Sequence, residues 1–409
     1  MTQKTAEQQV LYPAVPAGRY ARVAARVAEG IVRRAARLTG ITVGTAAERP
    51  DADLVLIRPQ DFYTRLGVGG LTGFGESYVA GDWESADLAG TLTALCRKMA
   101  SLVPGWMQTF RGFYNARRPA SQKNTVSGAK RNISAHYDLS NDFFATFLDP
   151  GLSYSSALFD GHPERTLAEA QDAKVERALD RAGVGEGSRV LEIGTGWGEL
   201  ALHAARRGAQ VRSVTLSTEQ ADLARRRIAD EGFSDRVDID LCDYRETTGT
   251  YDAVVSIEMI EAVGAEYWDS YMQVVHDRLA PGGRAVIQAI TMDHQRMLAT
   301  SDAATWITTY VFPGGVIPSV TALNEAAQRA GLHLGMRFSF GEDYAETLRR
   351  WDVAFRDAAA SGAVEELHDG ATGAVFDPAF QRLWHFYLCY CEAGFAAHYI
   401  DVGQLEYVR

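Results

Sequence analysis

The stretch Val190-Leu191-Glu192-Ile193-Gly194-Thr195-Gly196-Trp197-Gly198 constrains this chain more than any other. A short apolar strand runs into a glycine-rich turn, and the turn opens a helix. Glycine lets backbone pass close under a ligand, because no Cβ intervenes. The spacing differs from the phosphate-binding form, and no Gly-Lys-Ser/Thr follows to hold a nucleotide phosphate. Glu192, just before the glycines, repels a phosphate and attracts an amine. That combination suits S-adenosylmethionine, which carries an aminoacyl group and a sulfonium but no phosphate.

The surroundings of the turn alternate strand and helix. Strands are expected at Arg189–Ile193, Gln210–Leu216, Val237–Leu241, Ala253–Ile257 and Arg284–Ile290, with helices at Glu199–Arg207, Thr218–Asp230 and Glu266–Leu279. Ala280-Pro281-Gly282-Gly283 reads as the turn before the last of these strands. Such alternation predicts an α/β fold, a doubly wound and mostly parallel Rossmann-like sheet with ligands at the carboxyl ends of its strands. At 409 residues the chain is long for one core, so a second, smaller α+β domain is expected. Its helix spans 17–39 and its strand 53–57; Gly67 to Gly75 is glycine-rich, and a helix begins at Glu76-Ser77-Tyr78. Residues 117–133 are polar, basic and poor in apolar side chains, so the division is expected as 1–125 and 126–409.

Apolar content of 46% and charged content of 23% are ordinary for a globular protein. No run of about 18 apolar residues reads as a membrane span. The N-terminal residues lack a basic region followed by an apolar core, so no secretory signal is expected. Cys96, Cys242, Cys389 and Cys391 form no metal-ligand pattern, and a reducing cytoplasm fits them. The net charge of −11 argues against general affinity for nucleic acid or for an anionic membrane. Locally the balance reverses. No acid occurs from Leu88 to Tyr137, where Arg97, Lys98, Arg111, Arg117, Arg118, Lys123, Lys130 and Arg131 alternate with Trp106, Phe110, Phe113 and Tyr114. Arg19, Arg22, Arg26, Arg33, Arg34 and Arg37 share the first helix with a single acid, Glu29. Basic residues among apolar ones suit a membrane surface, and a solvated face plus linker reads equally well.

Chemistry-bearing residues cluster after the strands. Val214-Thr215-Leu216-Ser217-Thr218-Glu219-Gln220 carries no acid at the strand end, which leaves Thr215 and Gln220 as ribose partners; Ser217 or Thr218 also caps the next helix. Asp243-Tyr244 puts a carboxylate and a ring where an adenine would sit. The fourth strand ends Ile257-Glu258-Met259-Ile260-Glu261-Ala262-Val263-Gly264. Two carboxylates in an apolar run at a cofactor cleft need partners or raised pKa values, so one of them is expected to be functional.

The chain resembles the cyclopropane-fatty-acyl-phospholipid synthases and their relatives, over nearly its whole length. The resemblance rests on Gly73-Phe74-Gly75-Glu76-Ser77-Tyr78, Asp82-Trp83-Glu84, His136-Tyr137-Asp138-Leu139 and Asn141-Asp142-Phe143-Phe144. It continues through the glycine turn, Tyr310-Val311-Phe312-Pro313-Gly314-Gly315, Pro318-Ser319, Tyr344 and the Tyr387-Leu388 to Cys391 helix. It implies cofactor contacts at Tyr154, Ser155, Gly194, Gly196, Thr215, Leu216, Gln220 and Tyr244. It also implies a bicarbonate that serves as base, held by Ser156, Ile257, Glu261, Gln288 and Tyr344. Many members carry Cys where Ser156 stands, His where Gln288 stands, and Glu-His-Val-Gly where Glu261-Ala262-Val263-Gly264 stands. Ser and Gln still hydrogen-bond an anion, yet supply neither thiolate nor imidazolium.

The departures at 154–159, 258–262 and 288–292 are similar to an actinobacterial branch associated with 10-methylene and 10-methyl stearoyl lipids. The function so implied is methyl transfer to the cis double bond of a phospholipid's oleoyl-type chain, giving a 10-methylene product, with a cyclopropane as the alternative. The resemblance further implies a homodimer working at the inner face of the plasma membrane. A separate flavin reductase would saturate the product. Two other classes stay open: a methyltransferase for a small soluble metabolite, and a lipid-binding protein without turnover.

Overall fold

The computed structural model describes residues 12–102, 139–370 and 373–409. The first helix, α1 (Arg19–Thr39), buries Ala21, Ala24, Ala25, Ala28, Val32 and Ala35, one stripe at helical spacing. It stops at Gly40 in the left-handed conformation. Its small side chains admit a close neighbour, α2 (Pro59–Val79). The stretch 67–75 is therefore helical, not a connection leading to a helix at Glu76, and it is kinked at Gly70 (φ 57°, ψ −135°). Close approach explains the glycines on either side of the kink. A Cβ on Gly67 would lie 2.4 Å from the Ala24 carbonyl oxygen, and one on Gly75 would lie 2.4 Å from the Trp306 ring.

Three short strands, β1 (Val43–Thr45), β2 (Leu54–Leu56) and β3 (Trp83–Glu84), form a small sheet in that order. β1 runs parallel to β2, and β3 antiparallel to it. Asp82, just ahead of β3, is buried and accepts from Arg58 at 2.8 Å and Arg65 at 3.1 Å. Helices α3 (Leu88–Arg97) and α4 (Met99–Leu102) follow. The expected domain boundary, the linker and most of the acid-free stretch lie outside the described residues.

The larger part begins with α5 (Asn141–Ala145) and α6 (Leu167–Ala182), the latter held by a Thr166/Glu169 capping box. The alternation then unfolds as β4 (Arg189–Ile193), α7 (Glu199–Arg206), β5 (Gln210–Thr215), α8 (Thr218–Asp230), β6 (Val237–Leu241), β7 (Tyr251–Ile257), α9 (Trp268–Arg278) and β8 (Leu279–Met292). Pairing of β8 with β7 is irregular between Tyr251 and Ala253, so the expected Ala280–Gly283 turn lies within the extended run. After it come α10 (His294–Thr300), α11 (Trp306–Tyr310), α12 (Val320–Arg329), β9 (His333–Ser339), α13 (Gly341–Ala360), α14 (Pro378–Ala396) and β10 (Ile400–Val408).

The sheet order is β6-β5-β4-β7-β8-β10-β9. Strands β4 to β8 pair parallel, as the alternation predicts, and β10 runs antiparallel between β8 and β9. The chain leaves β4 toward β5 and later returns to the other flank with β7. That reversal places the ligand crevice over the carboxyl ends of β4 and β7.

Both parts of the chain share one core. Val32, Leu54, Phe62 and Trp83 belong to the same hydrophobic cluster as Trp351, Phe355, Trp384 and Phe386. Arg382 on α14 donates to the Tyr78 carbonyl at 2.6 Å and to Glu84 at 2.7 Å. The Tyr310 hydroxyl donates to Glu76 at 2.6 Å. Several motifs behind the resemblance are thus the joints between the two parts.

Candidate active site

Gly194, Gly196 and Gly198 all adopt left-handed φ values, 99°, 51° and 91°, which lets the turn fold tightly between β4 and α7. No atom lies within 4 Å of where a Gly196 Cβ would be, so the backbone there opens onto free space. That space is a cavity walled by Tyr154, Ser155, Gly194, Gly196, Thr215, Leu216, Gln220, Tyr244 and Ile257, every cofactor-contact residue expected above plus the end of β7. Thr215 donates to the Gln220 carbonyl oxygen at 3.1 Å, and Ser217 caps α8 by accepting from Gln220 N–H at 3.2 Å. Asp243 instead turns away, bound to Arg245 at 2.6 Å.

The cavity suits S-adenosylmethionine by its polar groups. Glu192 lines it, with a buried carboxylate that accepts from Ser213 at 2.5 Å. Burial pushes this carboxyl up to about 8, against the pull of Ser213 and the Lys174 charge. The buried Tyr244 hydroxyl has no hydrogen-bond partner among the described residues. Lys174, on α6 and absent from the sequence reading, also lines the cavity; its ammonium donates to Ser155 Oγ at 2.7 Å. Burial lowers its pKa, and Glu258, Asp149, Glu199 and Glu192 raise it.

A second cluster adjoins this cavity at the end of β7, and its centre is Glu258. Oε1 of Glu258 accepts from the Ser156 backbone N–H at 2.9 Å and from Gln288 Nε2 at 2.8 Å. Oε2 accepts from the Tyr344 hydroxyl at 2.7 Å. Ser156 and Gln288 are fully buried, and Tyr344 nearly so. Gln288 is fixed in turn by Gln404 of β10, whose Nε2 donates to Gln288 Oε1 at 3.2 Å. Burial raises the Glu258 pKa; Tyr344, Ser156, Gln288 and Lys174 pull it back down.

Glu261, the acid the resemblance favours, sits beside this cluster without bonding into it. It sits on a 3₁₀ turn, Ile260–Ala262, and its Oε1 accepts the Ile290 backbone N–H. Its Oε2 is buried without a hydrogen-bond partner among the described residues, and its pKa rises to about 8 through burial and the neighbouring Glu258 charge. Of the five residues expected around the base, Ser156, Gln288 and Tyr344 converge on Glu258. Ile257 precedes Glu258 at the cavity wall, and Glu261 braces β8. Glu258 was legible as one of two acids at a strand end. Its left-handed backbone (φ 49°), which decides where the carboxylate points, was not.

Aromatic rings pack against Tyr154 of the cavity wall and Tyr344 of the Glu258 cluster. Tyr154 packs on Trp351 with ring centroids 5.4 Å apart and shares a 2.7 Å hydrogen bond with Tyr387. Phe312 meets Tyr387 edge-on at 5.7 Å, and Tyr344 lies against Phe395 at 4.4 Å.

Comparison with known proteins finds a relative along nearly the whole chain. The pattern of the mycolic acid cyclopropane synthetase family matches residues 124–405. The tuberculostearic acid methyltransferase UfaA1 of Mycobacterium tuberculosis is 46% identical, over 97% of this chain and 94% of its own. The cyclopropane-fatty-acyl-phospholipid synthase of Escherichia coli K12 is 32% identical, over 94% and 93%. Among solved structures, the mycolic acid cyclopropane synthase CmaA1 complexed with SAH and CTAB superposes with a TM-score of 0.61. That pair is 30% identical, covering 71% of this chain and 99% of CmaA1.

Proposed function

Because the chain belongs to the mycolic acid cyclopropane synthetase family, we propose that it methylates the cis double bond of an oleoyl-type chain in membrane phospholipid, using S-adenosylmethionine. The product is the 10-methylene acyl chain, precursor of the 10-methylstearoyl group. One observation carries this reading. A cavity with the polar groups for a sulfonium amino acid shares the end of β7 with a carboxylate cluster under an aromatic wall. The relationship to a tuberculostearic acid methyltransferase favours the methylene product, and the relationship to the E. coli enzyme favours ring closure as the second reading.

When bound, S-adenosylmethionine supplies an electrophilic methyl carbon. An isolated alkene is a poor nucleophile, so alignment does most of the work, ~7–11 kcal/mol in favourable cases. The glycine turn and Gln220 hold the nucleoside end, while Glu192 takes the amine. Methyl addition leaves a cation on the neighbouring alkene carbon. Tyr154, Trp351, Phe312 and Tyr387 keep water from that cation. A hydride shift moves the charge to the methyl-bearing carbon, and proton loss from the methyl group then gives the exocyclic methylene. Proton loss without the shift closes a ring.

Access to the lipid comes through peripheral contact with the inner membrane face. Among the described residues no helix is long and apolar enough to cross a membrane. On α1 all six arginines are exposed, beside Tyr20, Val23 and Val27 at 62%, 58% and 45% exposure. The enzyme acts as a homodimer, and a separate flavin reductase saturates its product.

Incubation with S-adenosylmethionine and oleoyl-phospholipid vesicles tests the reading. The two products are isomers of equal mass, so proton NMR of the released acyl chain must identify them. Vinylidene protons are expected. Cyclopropyl protons would replace the methylene reading with the ring reading, and an unmodified lipid would remove both.

A further inference from the structure

The family resemblance implies bicarbonate as the base, yet the residues that would hold it do not fit that anion here. The Ser156 N–H and the Tyr344 O–H each offer one proton, and both protons are engaged by the Glu258 carboxylate. Gln288 gives Nε2 to the same carboxylate at 2.8 Å, and its carbonyl oxygen is taken by Gln404. The Ser156 hydroxyl donates to the Ala157 carbonyl at 3.0 Å. Glu261 adds a second carboxyl beside Glu258, with one buried oxygen unpartnered among the described residues. A bicarbonate would meet occupied donors and two acids.

We infer that the Glu258 carboxylate replaces bicarbonate, so that the base of the reaction is part of the chain. Three of the groups expected to grip the anion grip this side chain instead. Glu258 lines the cofactor cavity, between Ile257 and Met259. Its backbone is left-handed at φ 49°, a conformation that is costly for a non-glycine residue and persists where surrounding contacts enforce it. Burial raises the Glu258 pKa, which suits a base, and the Lys174 charge opposes that rise.

The step balances without a further reagent. The alkene electron pair forms the bond to the methyl carbon as the carbon–sulfur bond breaks, leaving a neutral thioether and a lipid cation. After the hydride shift, Glu258 takes one methyl proton. The released C–H electron pair becomes the exocyclic double bond, and the cation is quenched. Glu258 ends as a carboxylic acid and returns the proton to water when the products leave. Tyr344, Gln288 and the Ser156 amide are positioning groups, aiming the carboxylate and moderating its basicity.

The inference rests on the acyl-methyltransferase reading, and the assay separates the two. Full-length protein, S-adenosylmethionine and oleoyl-phospholipid vesicles are mixed in carbon-dioxide-free buffer, with and without added bicarbonate. Wild-type turnover is expected to ignore bicarbonate. Glu258→Gln is expected to lose about 10²–10⁴-fold in kcat while binding S-adenosylhomocysteine like the wild type. Glu258→Gly, free of the backbone strain and with the carboxylate's place vacant, regains part of its turnover when bicarbonate is added. A wild-type enzyme that needs bicarbonate, or a Glu258→Gln protein with wild-type turnover, overturns the assignment. The wild-type comparison stands even where a variant fails to fold. Absence of any methylated product from wild type overturns the acyl-methyltransferase reading, and the base role with it.

Discussion

Two glutamates three positions apart show how far single residues can be read. Sequence marked both Glu258 and Glu261 as acids in an apolar run, and the family pattern pointed to Glu261. What separates them is backbone direction: Glu258 is left-handed, while the Glu261 carboxylate braces the Ile290 amide. Neither property has a signature in residue type. Glu192 was more legible, because its place before the glycine turn fixes its position at the ligand. Its raised pKa of about 8 makes a testable statement. Near pH 7 the empty site holds this carboxyl mostly protonated, and an amine cation arriving beside it favours the charged form. Binding of S-adenosylmethionine is therefore expected to release a proton, seen by calorimetry as binding heats that differ between buffers of different ionisation enthalpy. Glu192→Gln removes that difference and weakens binding by about 10–100-fold, the worth of a charge-assisted hydrogen bond of ~1.5–3 kcal/mol. The same carboxyl sets a pH slope on stability. A folded pKa above the unfolded one means that the native state binds more protons between about 4.5 and 8, so stability is full below that window and falls as pH rises through it. Thermal melts of the ligand-free protein should show this fall, and Glu192→Gln should reduce it.

At the scale of elements, periodicity made the central sheet readable and glycine misled. The parallel strands β4 to β8 follow from alternation of apolar runs and amphipathic helices. The antiparallel β10 does not, although it sets Gln404 against Gln288 in the sheet register. Helix α2 was obscured because its glycines look like loop residues, whereas they serve neighbours that only the fold brings near. Two substitutions separate these roles. Gly67→Ala forces a methyl group against the Ala24 carbonyl of α1, where backbone must shift, and is expected to destabilise by ~1–3 kcal/mol. Gly30→Ala lies on the exposed side of α1 with nothing within 4 Å, and should stabilise by ~0.5–1 kcal/mol through helix propensity. Urea titrations of both variants check the signs. Equal and small effects would mean that the two helices are not held at the close distance the glycine allows.

Considered as a whole molecule, the chain carries a net charge of −11 and presents a cationic helix, so its approach to an anionic bilayer depends on orientation. The apolar stripe of α1 is consumed by packing on the rest of the protein, which leaves the arginines and Tyr20, Val23 and Val27 facing outward. Repulsion from the remaining surface would then disfavour other orientations, and α1 is tied through the shared core to the helices that carry Tyr344 and Tyr387. Sequence disclosed the charge on α1. It could not disclose this core, because the contacts join residues some 300 positions apart, as in Arg382 to Tyr78 and Glu84. The membrane role is tested by reversing Arg19, Arg22 and Arg26 to Glu. Near an anionic surface each basic side chain contributes about 1 kcal/mol, so loss of three should weaken vesicle binding on the order of a hundredfold. Cosedimentation with anionic vesicles should fall accordingly, and wild-type binding should weaken as salt shortens the screening length. Turnover on detergent-dispersed oleoyl phospholipid should survive, since no α1 residue lines the cavity. Sedimentation equal to wild type would move the lipid contact away from α1, while loss of turnover in detergent would mean that the arginines support the fold instead of the membrane.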